Sequence, residues 1–154
     1  MNTIDKFQGR YRFLSNFWIT PIVFGVDIYK SVEHAYQAAK TNILSERELI
    51  QNARTPGEAK RMGKTVTLRP DWEHVKTKVM HDLVLQKFSG DPLRAQLLAT
   101  DNAELIEGNT WHDNFWGACT CLQCVDLIKD NQLGVILVRV REEIKNEYRD
   151  NLQM

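Results

Sequence analysis

Apolar residues recur at three- and four-residue spacing in two long stretches of the chain and alternate with turn residues in a short one. Trp72, Val75, Val79 and Leu83 form one stripe, with Glu73, Lys76, Lys78 and Asp82 facing away. This pattern predicts a core-packing helix opened by Asp71 and ending near Phe88. Leu133, Ile136, Leu137, Val140 and Ile144 form the second stripe, opposite Arg139, Glu142, Glu143 and Lys145, and predict a closing amphipathic helix over 133–148. Between Trp18 and Tyr29, apolar residues surround Pro21 and Gly25. That stretch reads as a hairpin of strands 22–24 and 27–29, preceded by a short strand and a loop within 9–17.

Capping signals divide the remainder. Ser45 with Glu48 forms a capping box for a short helix to about Ala53. Thr55, Pro56 and Glu58 repeat the logic, and Gly63 supplies the expected stop. Asp91 followed by Pro92 predicts a helix through Ala99, with proline at its first position, and 103–107 reads as a strand. No repeat, low-complexity tract or linker interrupts the 154 residues. The expectation is one α+β domain over 1–154, mostly helical with a small β-sheet.

One predicted helix carries reactive groups. In YKSVEHAYQAAK, residues 29–40, Ser31 is the expected N-cap and the segment after it is rich in alanine. Glu33, Gln37 and Lys40 fall within about 60° of one another, with Glu33 and Lys40 roughly 10 Å apart along the axis. The small alanines permit close approach of neighbouring backbone, as a buried helix with a polar stripe requires. A solvated helix bearing an acid and an amine is the plainer alternative.

A second stretch changes character. GNTWHDNFWG, residues 108–117, sets two tryptophans, a phenylalanine, a histidine and an aspartate between glycines. Stacking on a planar ring while His112 or Asp113 reaches a reacting bond needs this mixture. Alternatively, Trp111, Phe115 and Trp116 plug the core while Asn109 and Asp113 cap turns. Near the amino terminus, Arg10 and Arg12 precede a Ser-Asn loop; they read either as ordinary surface residues or as arginines of the kind that phosphate and ribose recognition uses.

Composition narrows the function classes. Twenty basic against twenty acidic residues give no net charge, which removes a bulk drive toward nucleic acid or anionic membrane. A local basic excess, Arg47, Arg54, Lys60, Arg61 and Lys64, reads as a solvated face or a phosphate-binding one. The first residues lack the apolar core of a signal peptide and no apolar run suffices to span a bilayer, so a cytoplasmic protein is expected. Cys119, Cys121 and Cys124 fall within six residues, which is no secreted disulfide framework. A metal reading needs a fourth ligand, for which His112 is nearest. Zinc sites more often show two CxxC-like halves, so reduced thiols without metal are the expectation. No glycine-rich phosphate loop is present, and no cofactor is expected.

Six ordered blocks carry a family resemblance: FLSNF at 13–17, YKSVEHAYQAAK at 29–40, TPGEAKRMG at 55–63, RPDWE at 69–73, LIEGNTWHDNFWG at 105–117 and NQLGVILVRVR at 131–141. In order and spacing they resemble the YbiA-like, or NADAR, family over nearly the whole chain. The resemblance implies an α+β, helix-rich fold and an N-glycoside hydrolase. It implies a phosphorylated ribosyl substrate, either a ribosylamino-pyrimidine phosphate early in riboflavin biosynthesis or ADP-ribosylated guanine in DNA. It assigns no role to the CTCLQC segment.

Hydrolysis of such a bond needs stabilisation of an oxocarbenium-like sugar, help for the departing nitrogen, and a nucleophile. Within the resemblance, Glu33, Lys40 and Asp113 are the expected catalytic groups. Glu33 and Asp113 divide charge stabilisation from acid–base work. Lys40 either attacks the anomeric carbon to give a ring-opened Schiff base or stays cationic and holds phosphate. Trp111 is the expected stacking platform, Ser15, Asn16 and Asn109 are expected ribose or base contacts, and Arg12 is expected on a phosphate. A module that binds ADP-ribose without cleaving it is the alternative, disfavoured because all three ionisable groups are present.

Overall fold

The computed structural model describes residues 2–153. In chain order the elements are β1 (Thr3–Ile4), a 3-10 turn (Gly9–Leu14), β2 (Ile22–Phe24), β3 (Asp27–Tyr29), α1 (Val32–Ala39), α2 (Leu44–Gln51), α3 (Pro56–Gly63) and α4 (Trp72–Lys87). There follow α5 (Leu93–Leu98), β4 (Glu104–Leu105), β5 (Gly108–Asn109), β6 (Ala118–Cys119), a second 3-10 turn (Leu122–Cys124) and α6 (Gln132–Leu152). The chain is helix-rich α+β. It forms two compact units, Asn16–Lys87 on one hand, Met1–Ser15 with Phe88–Met154 on the other.

The Asn16–Lys87 unit is built around α1. Ser31 caps that helix, its Oγ accepting from the His34 amide at 3.1 Å, and every residue from Val32 to Ala39 is buried. A helix eight residues long is marginal by itself; this one is held because α2, α3, α4 and β2 pack around it. The solvated alternative is thereby overturned. His34 ties α1 to the loop after α2: its Nδ1 meets Ser31 Oγ at 2.7 Å and its Nε2 meets the Ala53 carbonyl at 3.1 Å. Helix α3 ends at Gly63 as expected, but Lys64 forms the C-cap and Gly63 is a buried helical residue, where a Cβ would stand 1.8 Å from Gln37 Oε1. It is small so that α3 can lie against α1.

Other boundaries in this unit follow or correct the sequence reading. The β2–β3 hairpin pairs Ile22 with Tyr29 and Phe24 with Asp27, at the predicted bounds. Thr55 caps α3, accepting from the Glu58 amide at 3.1 Å, with proline in the first turn. The Ser45 capping box does not form. Helix α2 begins two residues earlier, with Ile43 at the N-cap and no side-chain cap, while Thr41 Oγ1 accepts the Ile43 amide at 3.0 Å and turns the chain into the helix. In α4, Trp72, Met80, Leu83 and Val84 are fully buried, whereas Val75 and Val79 are half-buried. The buried stripe has drifted, as it does when a helix is covered on more than one side.

In the other unit α6 packs on β4 and α5. All five apolar residues of its predicted stripe are buried. Gly134 lets the helix approach β4, because a Cβ there would lie 1.9 Å from the Leu105 carbonyl. Arg141, unremarked in the sequence, is buried on the same face and donates to Thr100 Oγ1 at 2.8 Å and the Ala103 carbonyl at 3.0 Å. Pro92 occupies the N-cap of α5 instead of its first turn, and Asp91 Oδ1 accepts from the Ala95 amide at 3.2 Å. Residues 9–14 form the 3-10 turn where a strand was expected, and strand β4 covers only two of the five residues assigned to it. The β-structure among the described residues is three two-stranded ladders: the hairpin, parallel β1–β4 and parallel β5–β6. Strands of two or three residues are too short to recruit further partners.

Candidate functional site

The α1 stripe is an enclosed set of polar groups. Glu33 is 7% exposed, and its Oε1 accepts from Gln37 Nε2 at 2.8 Å. The Glu33 amide donates to the Asn16 carbonyl at 3.1 Å, which fixes the entry to the helix. Gln37 Oε1 is buried without a hydrogen-bond partner, an unmet acceptor of the kind that native proteins keep for a reason. Lys40 forms the C-cap, half-buried, with its Nζ 5.6 Å from the centre of the Tyr36 ring. That ring in turn packs on Trp72 at 5.1 Å. Burial chiefly holds the Lys40 ammonium below its ordinary range; Glu33 opposes this, and Lys60, Lys64 and Lys76 reinforce it by like-charge repulsion.

The predicted basic stretch therefore has two fates. Lys60 and Lys64 bear electrostatically on Lys40. Arg47 instead donates to the Thr41 carbonyl at 2.7 Å and lies over the Phe24 ring, so it serves the fold. Lys76, placed on the wet face of α4 by periodicity, belongs to the first group and also pairs with Glu73 at 2.7 Å. Gln37 was already on the predicted stripe, while Tyr36 and Lys76 are the residues of this site absent from the sequence-derived set. The four-residue spacing of Tyr36 and Lys40 on one helix was the available signal for Tyr36.

In the other unit, the loop after β5 is organised by Asn109. Its Oδ1 accepts the amides of Trp111 and Asp113, each at 3.2 Å, and its Nδ2 donates to the Asp113 carbonyl at 2.8 Å. Buried and so engaged, Asn109 shapes the loop. Asp113 Oδ1 accepts the amides of Phe115 at 3.1 Å and Trp116 at 2.9 Å. The turn-capping alternative thus describes Asn109 and one oxygen of Asp113. It does not describe Trp111, which is 53% exposed. Trp111 and Asn109 line a 370 Å³ cleft with Lys6, Gln8 and Thr120. A larger cleft of 690 Å³, between the 3-10 turn and the end of α5, is lined by Arg10 but by none of the expected catalytic groups, nor by Arg12, Ser15, Asn16, Asn109 or Trp111.

The amino-terminal candidates are more dispersed. Arg12 is exposed in the last turn of the 3-10 segment, and Ser15 ends that segment with its amide on the Arg12 carbonyl at 3.0 Å. Asn16 is buried, its Nδ2 3.4 Å from Met80 Sδ. Within the Asn16–Lys87 unit the fold brings together Asn16, Glu33 and Lys40, and within the other it brings together Asn109, Trp111 and Asp113.

The same loop gathers the thiols. His112 Nδ1 lies 3.3 Å from Cys121 Sγ, 3.3 Å from Cys124 Sγ and 3.9 Å from Cys119 Sγ. Burial pushes the Cys119 thiol up, but hydrogen bonds from the Cys121 and His112 amides outweigh it and bring it down to about 6.

The NADAR domain model matches residues 5–145, a span that includes every one of these groups. The chain belongs to the NADAR domain family. N-glycosidase Npun_R5314 of Nostoc punctiforme is 38% identical over 142 residues, covering 88% of this chain and 87% of the relative. N-glycosidase YbiA of Escherichia coli is 36% identical over 140 residues, covering 89% and 84%. Riboflavin biosynthesis protein VVA0006 of Vibrio vulnificus is 35% identical over 143 residues, which are 91% of this chain and 37% of that protein. The NMR structure of E. coli YbiA superposes with a TM-score of 0.82 at 33% identity, covering 96% of this chain and 87% of that one. NADAR membership accounts for the helix-rich α+β architecture.

Proposed function

We propose that this NADAR chain, an N-glycosidase, hydrolyses the bond between nitrogen and a phosphorylated ribose, with Lys40 and Glu33 as catalytic groups and Asp113 as a further catalytic residue. The observation that carries this reading is the buried stripe of α1. A carboxylate, an amide with an unmet oxygen and a lysine of weakened basicity sit on a helix that burial would otherwise reserve for apolar groups.

In this mechanism the neutral Lys40 Nζ attacks the anomeric carbon. The bond to the base nitrogen breaks and its electron pair leaves with that nitrogen. Glu33 takes one proton from the Lys40 nitrogen and passes it to the departing base. The second amine proton goes to the ring oxygen as the sugar opens to an imine. Water then adds to the imine carbon and one of its protons passes to the lysine nitrogen; as the bond between that carbon and the nitrogen breaks, the hydroxyl proton of the carbinolamine passes to the same nitrogen, so that the open-chain aldehyde sugar and the original amine emerge. Trp111 is the proposed stacking surface, Ser15, Asn16 and Asn109 are proposed ribose or base contacts and Arg12 a proposed phosphate contact, while Lys60, Lys64 and Lys76 supply positive charge around Lys40. A single NADAR domain is proposed for 1–154, supported by the match over 5–145, and the thiols fit a reducing, cytoplasmic setting.

A ribosylamino-pyrimidine phosphate is the preferred substrate, supported by the name of the Vibrio relative. ADP-ribosylated guanine in DNA is the second reading, favoured by the exposed Arg54, Arg61 and Lys64. Turnover of both compounds side by side, with borohydride added during the reaction, tests the proposal. The expected result is a clear preference for one substrate and a reduced ribosyl phosphate adduct on Lys40. Full turnover without an adduct overturns the covalent step, and full turnover by Lys40→Arg overturns the role of Lys40.

A further inference from the structure

The CTCLQC segment, which takes no part in the proposed hydrolysis, contains the densest cluster of metal-binding atoms among the described residues. One ligand atom from each of His112, Cys119, Cys121 and Cys124 falls within 4.8 Å of every other. A tetrahedral zinc ion with Zn–S near 2.3 Å and Zn–N near 2.0 Å requires its ligand atoms to stand roughly 3.5–3.8 Å apart. The three distances from His112 Nδ1 to sulfur, 3.3, 3.3 and 3.9 Å, bracket that requirement. We infer that these four residues bind one Zn²⁺ in a closed, structural Cys₃His site that pins the aromatic loop to β6 and the second 3-10 turn.

Three independent features support the inference. First, the segment has no core of its own to fold around. Leu122 is 90% exposed and Ile128 84%, with Val125 and Leu127 also exposed, while Cys119 and Cys124 are the buried side chains among residues 119–130. Side chains that point outward while thiols point inward are arranged about the thiols, since hydrophobic burial cannot hold such a loop. Secondly, His112 has φ of 69°, a left-handed conformation that is costly for a residue with a Cβ and that persists where its surroundings impose it. That conformation turns its imidazole to the sulfurs. Thirdly, outer groups suited to a metal site are in place: Asn114 Oδ1 accepts the Cys119 amide at 2.9 Å, and Lys129 donates to the Cys124 carbonyl. Three thiolates against a dication leave one negative charge, which the Lys129 ammonium offsets.

The spacing alone argues against this site, because CxCxxC supplies three ligands and lacks a second half. The fourth ligand comes from seven residues upstream, and only the turn organised by Asn109 brings it back. With four protein ligands the ion has no open position for substrate or water, so its role is to fix the loop that carries Trp111 and Asp113. Soft sulfur with one imidazole selects zinc over magnesium or calcium.

The test is metal analysis of the full chain, purified under reducing conditions without chelator or polyhistidine tag. The expected result is one zinc per chain that survives desalting, is released by a mercurial thiol reagent, and is replaceable by cobalt to give the visible bands of tetrahedral thiolate coordination. His112→Ala, at an exposed position compatible with folding, is expected to weaken zinc retention at least tenfold in competition with a chromogenic chelator. Cys119→Ser with Cys124→Ser is expected to abolish binding. Absence of zinc in the wild-type chain after reconstitution with Zn²⁺, or a cobalt spectrum without thiolate bands, overturns the inference. Zinc retained undiminished by the double serine variant, or a disulfide among these cysteines in freshly reduced protein, does the same.

Discussion

Lys40 and Lys87 close helices in the same unit, and burial weakens the ammonium of each. For Lys40 the neighbouring Lys60 and Lys64 add to the effect, so Lys60→Ala with Lys64→Ala restores part of its basicity. The expected outcome is a pH–rate profile displaced to higher pH, with kcat at neutral pH reduced severalfold. If those lysines only hold phosphate, KM rises and the profile stays where it was. Lys87 is buried and brought down to about 7 by desolvation. Between that value and its ordinary 10.5 the unfolded chain holds a proton that the folded chain has lost, so stability increases with pH across this window. Lys87→Met is expected to flatten that dependence and raise stability at pH 7 and below by on the order of 2–4 kcal/mol in denaturant titrations. A weakened Lys40 was among the sequence-derived readings, but the Lys87 effect was not legible there, where a lysine at a helix end reads as favourable for the helix dipole.

At the scale of elements, α1 and α3 show how much a short helix owes to its neighbours. Ser31 was legible as a cap because the side-chain chemistry is local. Ser31→Ala removes both the cap and the Oγ contact with His34 Nδ1, and a loss of about 2 kcal/mol is expected by thermal or chemical unfolding. Gly63 was legible only as a glycine near a helix end. Its buried position against Gln37 depends on the approach of α3 to α1, which no local rule encodes. Gly63→Ala is expected to displace Gln37, break its 2.8 Å bond to Glu33, cost roughly 1–3 kcal/mol of stability and lower kcat more than it raises KM. Unchanged kcat in a folded Gly63→Ala protein would separate Gln37 from the chemistry. The failed capping box at Ser45 has the same origin: a hydroxyl from Thr41 won the turn, and α2 began before serine could cap it.

For the whole molecule, zero net charge and the two compact units set the expectations. A chain without excess positive charge releases few counterions on DNA, so binding to unmodified DNA is expected to be weak, with a shallow dependence on salt. A steep slope would place the basic face of α3 in a nucleic-acid interface. Stability should also decline in mild acid. Burial, opposed by the bond to Ala53 and reinforced by Lys30, holds the His34 imidazole below 6.5. As pH falls below 6.5 the unfolded chain takes up a proton that folded His34 resists, so ν_U exceeds ν_N and stability is lost. A His34→Gln variant should show a flatter curve between about pH 5 and 7, whatever its stability at higher pH.

Periodicity and capping chemistry, both properties of neighbouring residues, were enough to locate the β2–β3 hairpin, α1, α3, α4 and α6, and six ordered blocks were enough to identify the NADAR family. Local patterns could mark Glu33, Lys40, Trp111 and Asp113 as reactive or exposed. They could not decide that the α1 stripe is buried, that Gln37 keeps an unmet oxygen, or that Asn109 spends its amide on the loop. They offered His112 as the nearest partner for three cysteines 7 to 12 residues further on, but could not decide that its Nδ1 lies 3.3 to 3.9 Å from all three sulfurs. Those outcomes depend on which segments meet, and desolvation, packing distance and ligand geometry exist only once they have met.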